Sequence, residues 1–538
     1  MYMAQIKNLK IWEKKNIYFL CVIALNLIEF LRATGDGDVW KTAANCTGLV
    51  IMAVIICTYG LKKFLNPINY VYSFVCMAAM IIVRVHWSFS VGLYSLGQAE
   101  TAVLNVWAIG LAAHCLFREI AAGQREKIRL SPGGWLCTAA VIWTVIGASG
   151  KIWPLWFYLV FGLFYLTVFS ERDWESLWNA VADGTVFSFF IIQGYAYLFR
   201  PYDVVRYKGA FSNCNMMGLY YLVVYVMVLY KLHKLHLQRG RLGWKLFYFM
   251  GGAGLQGFLF MTLSRTAWAG SMVLTLFYGC FVLRRHWRDI WRRILAKGCV
   301  FIMCVILMFP LVYLTVRYLP TIHPHPIWYA GEYSQERVHS WDPADSEKYV
   351  SIYELMEEAF GRFASLLYWL DAKNPLVLRT YAQQPEQEQA PTVIEPLDIP
   401  WMDSSLRVRL AAAKMYLKDS TWLGHAQKDE NYIWDTTGNR VWHSQNLWVQ
   451  MTYTFGYPVG VITVVLTAMV LLKAYKAYKI KEKPCQILPI LICLLVFLYG
   501  TAEIVWNPGQ LILTLLFMAA HPQFNAANGV LQKETLQA

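Results

Sequence analysis

His443, Ser444, Gln445 and Asn446 stand where a long polar stretch ends and an apolar run, Leu447 to Leu472, begins. An imidazole at that boundary has one wet side and one apolar side and titrates near neutrality. It is suited to moving a proton on a water-facing group that is held by a membrane anchor. Arg265 is the second candidate. Met261, Thr262 and Leu263 before it and Ala267, Trp268 and Ala269 after it are uncharged, so its guanidinium falls at an interface and wants an anionic partner. Arg407 and Arg409 form a third grouping; i and i+2 on a helix point to different sides, so at most one of them faces a given site. The fourth runs from Lys208 to Asn215, with Arg206 just ahead. Guanidinium forks bind phosphate oxygens bidentately, and a neutral imidazole accepts a proton from a hydroxyl. Each residue also has a plainer account: Arg265 as a snorkelling residue at headgroup level, His443 as a satisfied interfacial histidine, Arg407 and Arg409 as a solvated helix edge.

The elements that must position these groups are apolar helices. The chain is 57% hydrophobic, 16% aromatic and 15% charged, outside the soluble globular range, and apolar runs recur along it at lengths suited to a hydrocarbon core. The expected fold is all-α, a polytopic integral membrane protein with about 12 to 14 transmembrane helices and one large extracytoplasmic helical loop domain. The run from Asn16 to Thr34 reads as a retained first span, because no small-residue cleavage site follows it. The expected divisions are N-terminal helices with short loops over 1–318, the large loop or cap over 319–442, and C-terminal helices over 443–538.

The net charge of +14 resides in short loops between apolar runs, with no Arg-rich tail or aromatic-interleaved groove, which sets nucleic acid aside as a partner. Those loops give an orientation. With Lys7, Lys10, Lys14 and Lys15 cytoplasmic, every second loop is basic: Lys62 and Lys63, then Arg118 to Arg129, Lys231 to Lys245, Arg284 to Arg293, and Lys473 to Lys483. Both termini then lie in the cytoplasm of a multi-pass cell-membrane protein, and Leu319 to Trp442, which holds more than half of the acidic residues, lies outside. In that segment Glu347 to Asp371 has helical periodicity with Ser346 as N-cap. Ser404 to Asp419 follows Asp403 with a stripe of Leu406, Leu410, Ala413 and Leu417, and 383–400 reads as a linker. The four polar groupings all fall on this outer face.

Other signals are set aside. None of the 12 cysteines lies between Cys304 and Cys485, so the large loop carries no disulfide framework. Gly252 to Gly257 matches GxGxxG but lies inside an apolar run with no preceding strand, where close helix packing accounts for it. His323-Pro324-His325-Pro326 has no carboxylate or thiol companion, and Asp36-Gly37-Asp38 reads as a polar turn. No metal and no cofactor is called for.

Four motifs, in order, resemble those of the O-antigen ligase and O-antigen polymerase superfamily. Gly209-Ala210-Phe211-Ser212-Asn213-Cys214-Asn215-Met216-Met217-Gly218 is similar to GxFxNPNxxG, with Cys214 where proline is usual. Leu263 to Trp268 looks like the SRxAW turn. Ser405 to Gly424 resembles the helix ahead of a small-residue turn, with Thr421-Trp422 where proline is usual. His443 to Leu447 followed by Phe455 to Gly460 is similar to HxHN…GxxG, lacking the second histidine. The resemblance covers roughly Gly209 to Lys473. It implies a metal-independent membrane glycosyltransferase that takes an oligosaccharide from an undecaprenyl diphosphate carrier to an acceptor glycan on the extracytoplasmic face, as a surface polysaccharide polymerase or ligase, with a flippase as a partner in the cell. On this reading Arg265 and Arg407 hold the diphosphate and His443 is the base. Asn446, Asn215, Arg409, Arg206 and Lys208 bind or orient substrate. The competing reading is a multi-pass transporter or flippase of an anionic or lipid-linked glycan; Glu29, Asp183 and Glu503 are the acidic residues nearest the midplane that it would use.

Overall fold

The computed structural model describes residues 13–34, 39–60, 65–90, 93–121, parts of 135–143, 155–198, 202–203, 206–211, 213–283, 290–319, 352–371, 404–425, 433–434, 440–441, 443–481, 484–503 and 509–521. Among them are sixteen α-helices and two short antiparallel ribbons. The first set comprises α1 (Lys14–Thr34), α2 (Val39–Tyr59), α3 (Pro67–Ser90), α4 (Leu93–Ala121), α5 (Leu155–Leu166) and α6 (Glu171–Leu198). After ribbon β1 (Tyr202–Asp203) and β2 (Arg206–Tyr207) come α7 (Cys214–Leu237), α8 (Leu242–Met261), α9 (Arg265–Leu283) and α10 (Ile290–Tyr318). The polar segment supplies α11 (Ile352–Asp371), α12 (Ser404–Lys418) and ribbon β3 (Ile433–Trp434) with β4 (Arg440–Val441). Then follow α13 (Leu447–Phe455), α14 (Tyr457–Lys481), α15 (Ile487–Gly500) and α16 (Leu511–Ala519).

Among the described residues, five helical stretches are long and apolar enough to cross a membrane: Thr42–Tyr59, Pro67–Val85, Cys214–Leu237, Ile294–Tyr318 and Tyr457–Lys479. Two shorter apolar helices, Val103–Arg118 and Pro484–Gly500, accompany them. The nine residues of α16 rise about 14 Å, roughly half of a hydrocarbon core. Burial ranks the five. In Cys214–Leu237, 83% of the helix is inside the protein, against 11% for Pro67–Val85 and for Ile294–Tyr318. A helix apolar on every face belongs in the middle, and α7, buried at every residue from Met217 to Tyr230, packs on α6, α8, α9 and α15. The glycines from Gly252 to Gly257 lie within α8, with Gly257 against Val312 of α10, so they serve helix packing.

The expected single span over 446–472 is two helices. The chain breaks at Gly456, whose φ of +91° is foreign to a helix and strained for any side chain. The apolar run continues through the break, which is why hydropathy conceals it. What occupies the break is the turn at Gly424, itself at φ +76°: Tyr457 N–H donates to the Thr421 carbonyl at 3.2 Å and His425 N–H to the Tyr453 carbonyl at 2.9 Å. A Cβ on Gly456 would overlap the Trp422 carbonyl oxygen.

At the far end of the bundle, cations and acids are matched. Lys14 bonds Asp173 at 3.0 Å and the Thr58 carbonyl at 2.8 Å, Lys231 pairs with Asp183, and Lys234 and Tyr230 share Asn179 Oδ1. Toward the other end of α1, Glu29 accepts the Leu511 N–H at 2.8 Å and so caps α16, while Arg32 holds its other oxygen at 2.6 Å. Ser346, Asp403, the linker 383–400, His323 to Pro326 and Asp36 to Asp38 lie outside the described residues.

Candidate functional site

The strand–turn–helix stretch before α7 sets the first side chains. Asn213 caps α7, its Oδ1 accepting the Asn215 N–H at 2.7 Å, as short polar side chains do at helix starts. This cap turns the Asn215 side chain toward β2. There Arg206 donates through Nη2 to Asn215 Oδ1 at 3.0 Å and through Nε to the Thr262 carbonyl at 3.2 Å. Arg206 is fixed because its ribbon neighbour Tyr207 is buried, with its hydroxyl accepting from Gln193 at 2.9 Å. Lys208, half-buried, gives its carbonyl to the Phe211 N–H at 3.0 Å in the same turn.

The turn between α8 and α9 abuts this one. Leu263 sits at φ +51°, and Ser264 caps α9 with its hydroxyl facing the Ala267 N–H at 3.4 Å, which makes Arg265 the first helical residue. Gly218 of α7 lies against Ala267 and Ser264, bringing the two helix starts together. Tyr499 bridges them, its hydroxyl donating to the Asn215 carbonyl at 2.5 Å and bonding Ser264. The polar segment reaches in as well. Arg362 of α11 donates to the Leu263 carbonyl at 3.3 Å while held by Glu358 at 2.7 Å, and Phe363 stacks on Trp268 with ring centroids 4.6 Å apart.

Glu503 is where these pieces meet. It lies in the turn after α15 ends at Gly500, and its Oε1 accepts Asn215 Nδ2 at 2.8 Å and Arg409 Nη1 at 3.2 Å. Arg409 also donates to the Ala502 carbonyl. Burial raises the Glu503 pKa, opposed by Arg409, by the Asn215 hydrogen bond and by Arg206. Of the two arginines on α12, Arg409 lies in the cluster; the side chain of Arg407 lies outside the described residues.

His443 is carried by a loop with few degrees of freedom. Ser444 is fully buried, its N–H donates to Gln450 Oε1 at 2.9 Å and its hydroxyl to the Asn446 carbonyl at 2.8 Å. Gln445 takes φ +56° between them. The imidazole Nδ1 is buried and has no hydrogen-bond partner among the described residues. Burial, and then the positive charge of Arg409, hold the His443 pKa below its ordinary value, so the ring stays neutral. Asn446, expected to orient His443 or a sugar, is spent on structure: Oδ1 caps α13 through the Val449 N–H at 3.1 Å, and Nδ2 ties it to the Thr501 carbonyl at 3.2 Å.

The structure thus gathers Arg206, Asn215, Arg409, His443 and Asn446 around the turn 501–503, with Arg265 joined to them through Ser264 and Tyr499. Sequence reading undervalued Glu503, taking it as a midplane acid. The signal for it was a lone carboxylate closing an apolar run on the face that also carries the arginines. Three helix starts, those of α7, α9 and α13, converge here, and their N-terminal dipoles add to the guanidiniums in favouring an anion. Among the described residues no group of three or more His, Cys, Asp and Glu side chains is placed to hold a metal ion. Compared with protein-family models, with curated proteins and with solved structures, the chain finds no match.

Proposed function

We propose that the protein is a membrane glycosyltransferase of the O-antigen ligase and polymerase type, which moves an oligosaccharide from a polyprenyl diphosphate carrier to an acceptor glycan hydroxyl. It would do so on the extracytoplasmic side of a bilayer crossed by about 12 to 14 helices, with both termini in the cytoplasm. The observation that carries this reading is the convergence of guanidiniums, helix starts and one unprotonated imidazole from four stretches far apart in sequence.

The chemistry runs as follows. The acceptor oxygen attacks the anomeric carbon, the bond from that carbon to the diphosphate oxygen breaks, and the polyprenyl diphosphate leaves with the electron pair. Arg409, Arg206 and Arg265 stabilise the negative charge that grows on the leaving group. The hydroxyl proton goes to His443, whose buried Nδ1 has no partner among the described residues and would find one in the incoming hydroxyl. Arg407 joins the diphosphate site on the family resemblance alone.

The test is product length and lipid-linked intermediate in cells carrying Arg265→Ala or His443→Ala. The expected result is loss of long glycan and accumulation of the lipid-linked unit at normal protein abundance. Unchanged product length at that abundance refutes the assignment.

A further inference from the structure

Glu503 has no part in the transfer just described, yet it binds the donors that the transfer needs. Its two hydrogen bonds, from Asn215 Nδ2 and Arg409 Nη1, land on the same oxygen, Oε1. Arg206 reaches that point through Asn215 Oδ1. One carboxylate oxygen thus sits where a phosphate oxygen would be bound, and it draws on the same donors. The side chains are not sealed in, since Arg409 retains 24% and Glu503 18% of its exposure.

We propose that Glu503 is a displaceable counter-ion: it occupies the anion position of the unloaded site, gives up Arg409 to an arriving diphosphate, and retakes it as the spent polyprenyl diphosphate leaves. The inference rests on the glycosyl-transfer reading. Its physical basis is competition. An Arg409 with no carboxylate beside it would hold a diphosphate tightly in a partly dehydrated site, and a processive enzyme must let go of that product in every cycle. A carboxylate on the same donors weakens the binding of carrier and product alike, and it keeps the guanidinium aimed while the site is empty. If Glu503 stayed in place when the diphosphate arrived, like charges would be juxtaposed, which costs several kcal/mol; departure is the lower-energy course. A static brace between α12 and the turn after α15 would behave in the opposite way, because loosening it would disorder the donors and weaken anion binding.

Glu503→Gln separates the two, since the amide oxygen still accepts from Asn215 and Arg409 but carries no charge. With the full chain in nanodiscs, binding of undecaprenyl diphosphate and of inorganic pyrophosphate is measured for wild type, Glu503→Gln and Arg409→Ala. The expected result is about tenfold tighter binding of both by Glu503→Gln, with steady-state turnover reduced because release slows, and weaker binding by Arg409→Ala. Equal or weaker binding by Glu503→Gln overturns the counter-ion while leaving the diphosphate site intact. Absence of any binding to wild type overturns the site reading and the counter-ion together. Should Glu503→Gln not fold, carbodiimide labelling of wild-type Glu503 decides: pyrophosphate is expected to increase it, and an unchanged or reduced yield overturns the proposal.

Discussion

The two ends of the helix bundle handle charge differently. At one, Lys14 has Asp173, Lys231 has Asp183, and Lys234 is satisfied by an amide. Each of these three cations has its own partner. At the other, Arg409 pairs with Glu503, which Arg206 reaches through Asn215, Arg265 starts a helix close by, and the buried Nδ1 of His443 has no hydrogen-bond partner among the described residues. Matched charges hold helices together; the other end is the one proposed above to receive an anion.

The largest effect that would sharpen this contrast is on turnover. His443→Ala is expected to lower transfer at least about 100-fold, the scale of a lost general base, while Lys231→Ala combined with Asp183→Asn at the matched end stays within about threefold of wild type in the same membrane assay. Equal losses at both ends would erase the distinction. Next comes the scaffold of the unmatched end. Gly456→Ala forces a Cβ onto the Trp422 carbonyl at φ +91° and is expected to cost about 3 kcal/mol or more, seen as a fall in folded protein by fluorescence-detected chromatography. Asn446→Ala, which removes the cap of α13 and the tie to Thr501, should cost about 1 kcal/mol, a lowering of the melting temperature by a few degrees.

The smallest effect is on pH dependence. The base works as the neutral ring, and burial together with Arg409 disfavours its protonation, so the acid limb of the kcat/KM profile should lie below the ordinary histidine value of about 6.5. Arg409→Gln removes a positive charge, makes protonation easier, and should move that limb to higher pH in whatever activity remains. A limb that stays in place would detach Arg409 from His443.

The helices were legible because long apolar runs have few alternatives, and the burial of α7 follows from its lack of a polar face. The break at Gly456 was not, since hydropathy is blind to φ and the residues on both sides of it are equally apolar. Motif spacing singled out Asn215, Arg265 and His443, but could not choose between Arg407 and Arg409, because two residues on a helix differ by direction and direction depends on what the helix packs against. Asn446 shows the converse limit: a residue type suited to holding a sugar is equally suited to starting a helix, and here it caps α13 and bonds the Thr501 carbonyl. Glu503 was read only as a midplane acid because one acid carries no spacing.

Arg362 grips the Leu263 carbonyl and Phe363 lies flat on Trp268, both within three residues of Arg265. The helix that bears them belongs to the segment proposed to face the medium, so a protein that merely grasped its outer surface and tilted it would tug on the reactive arginine from afar. Inhibition of this chain would then require no entry into the membrane, only a firm hold on its lid.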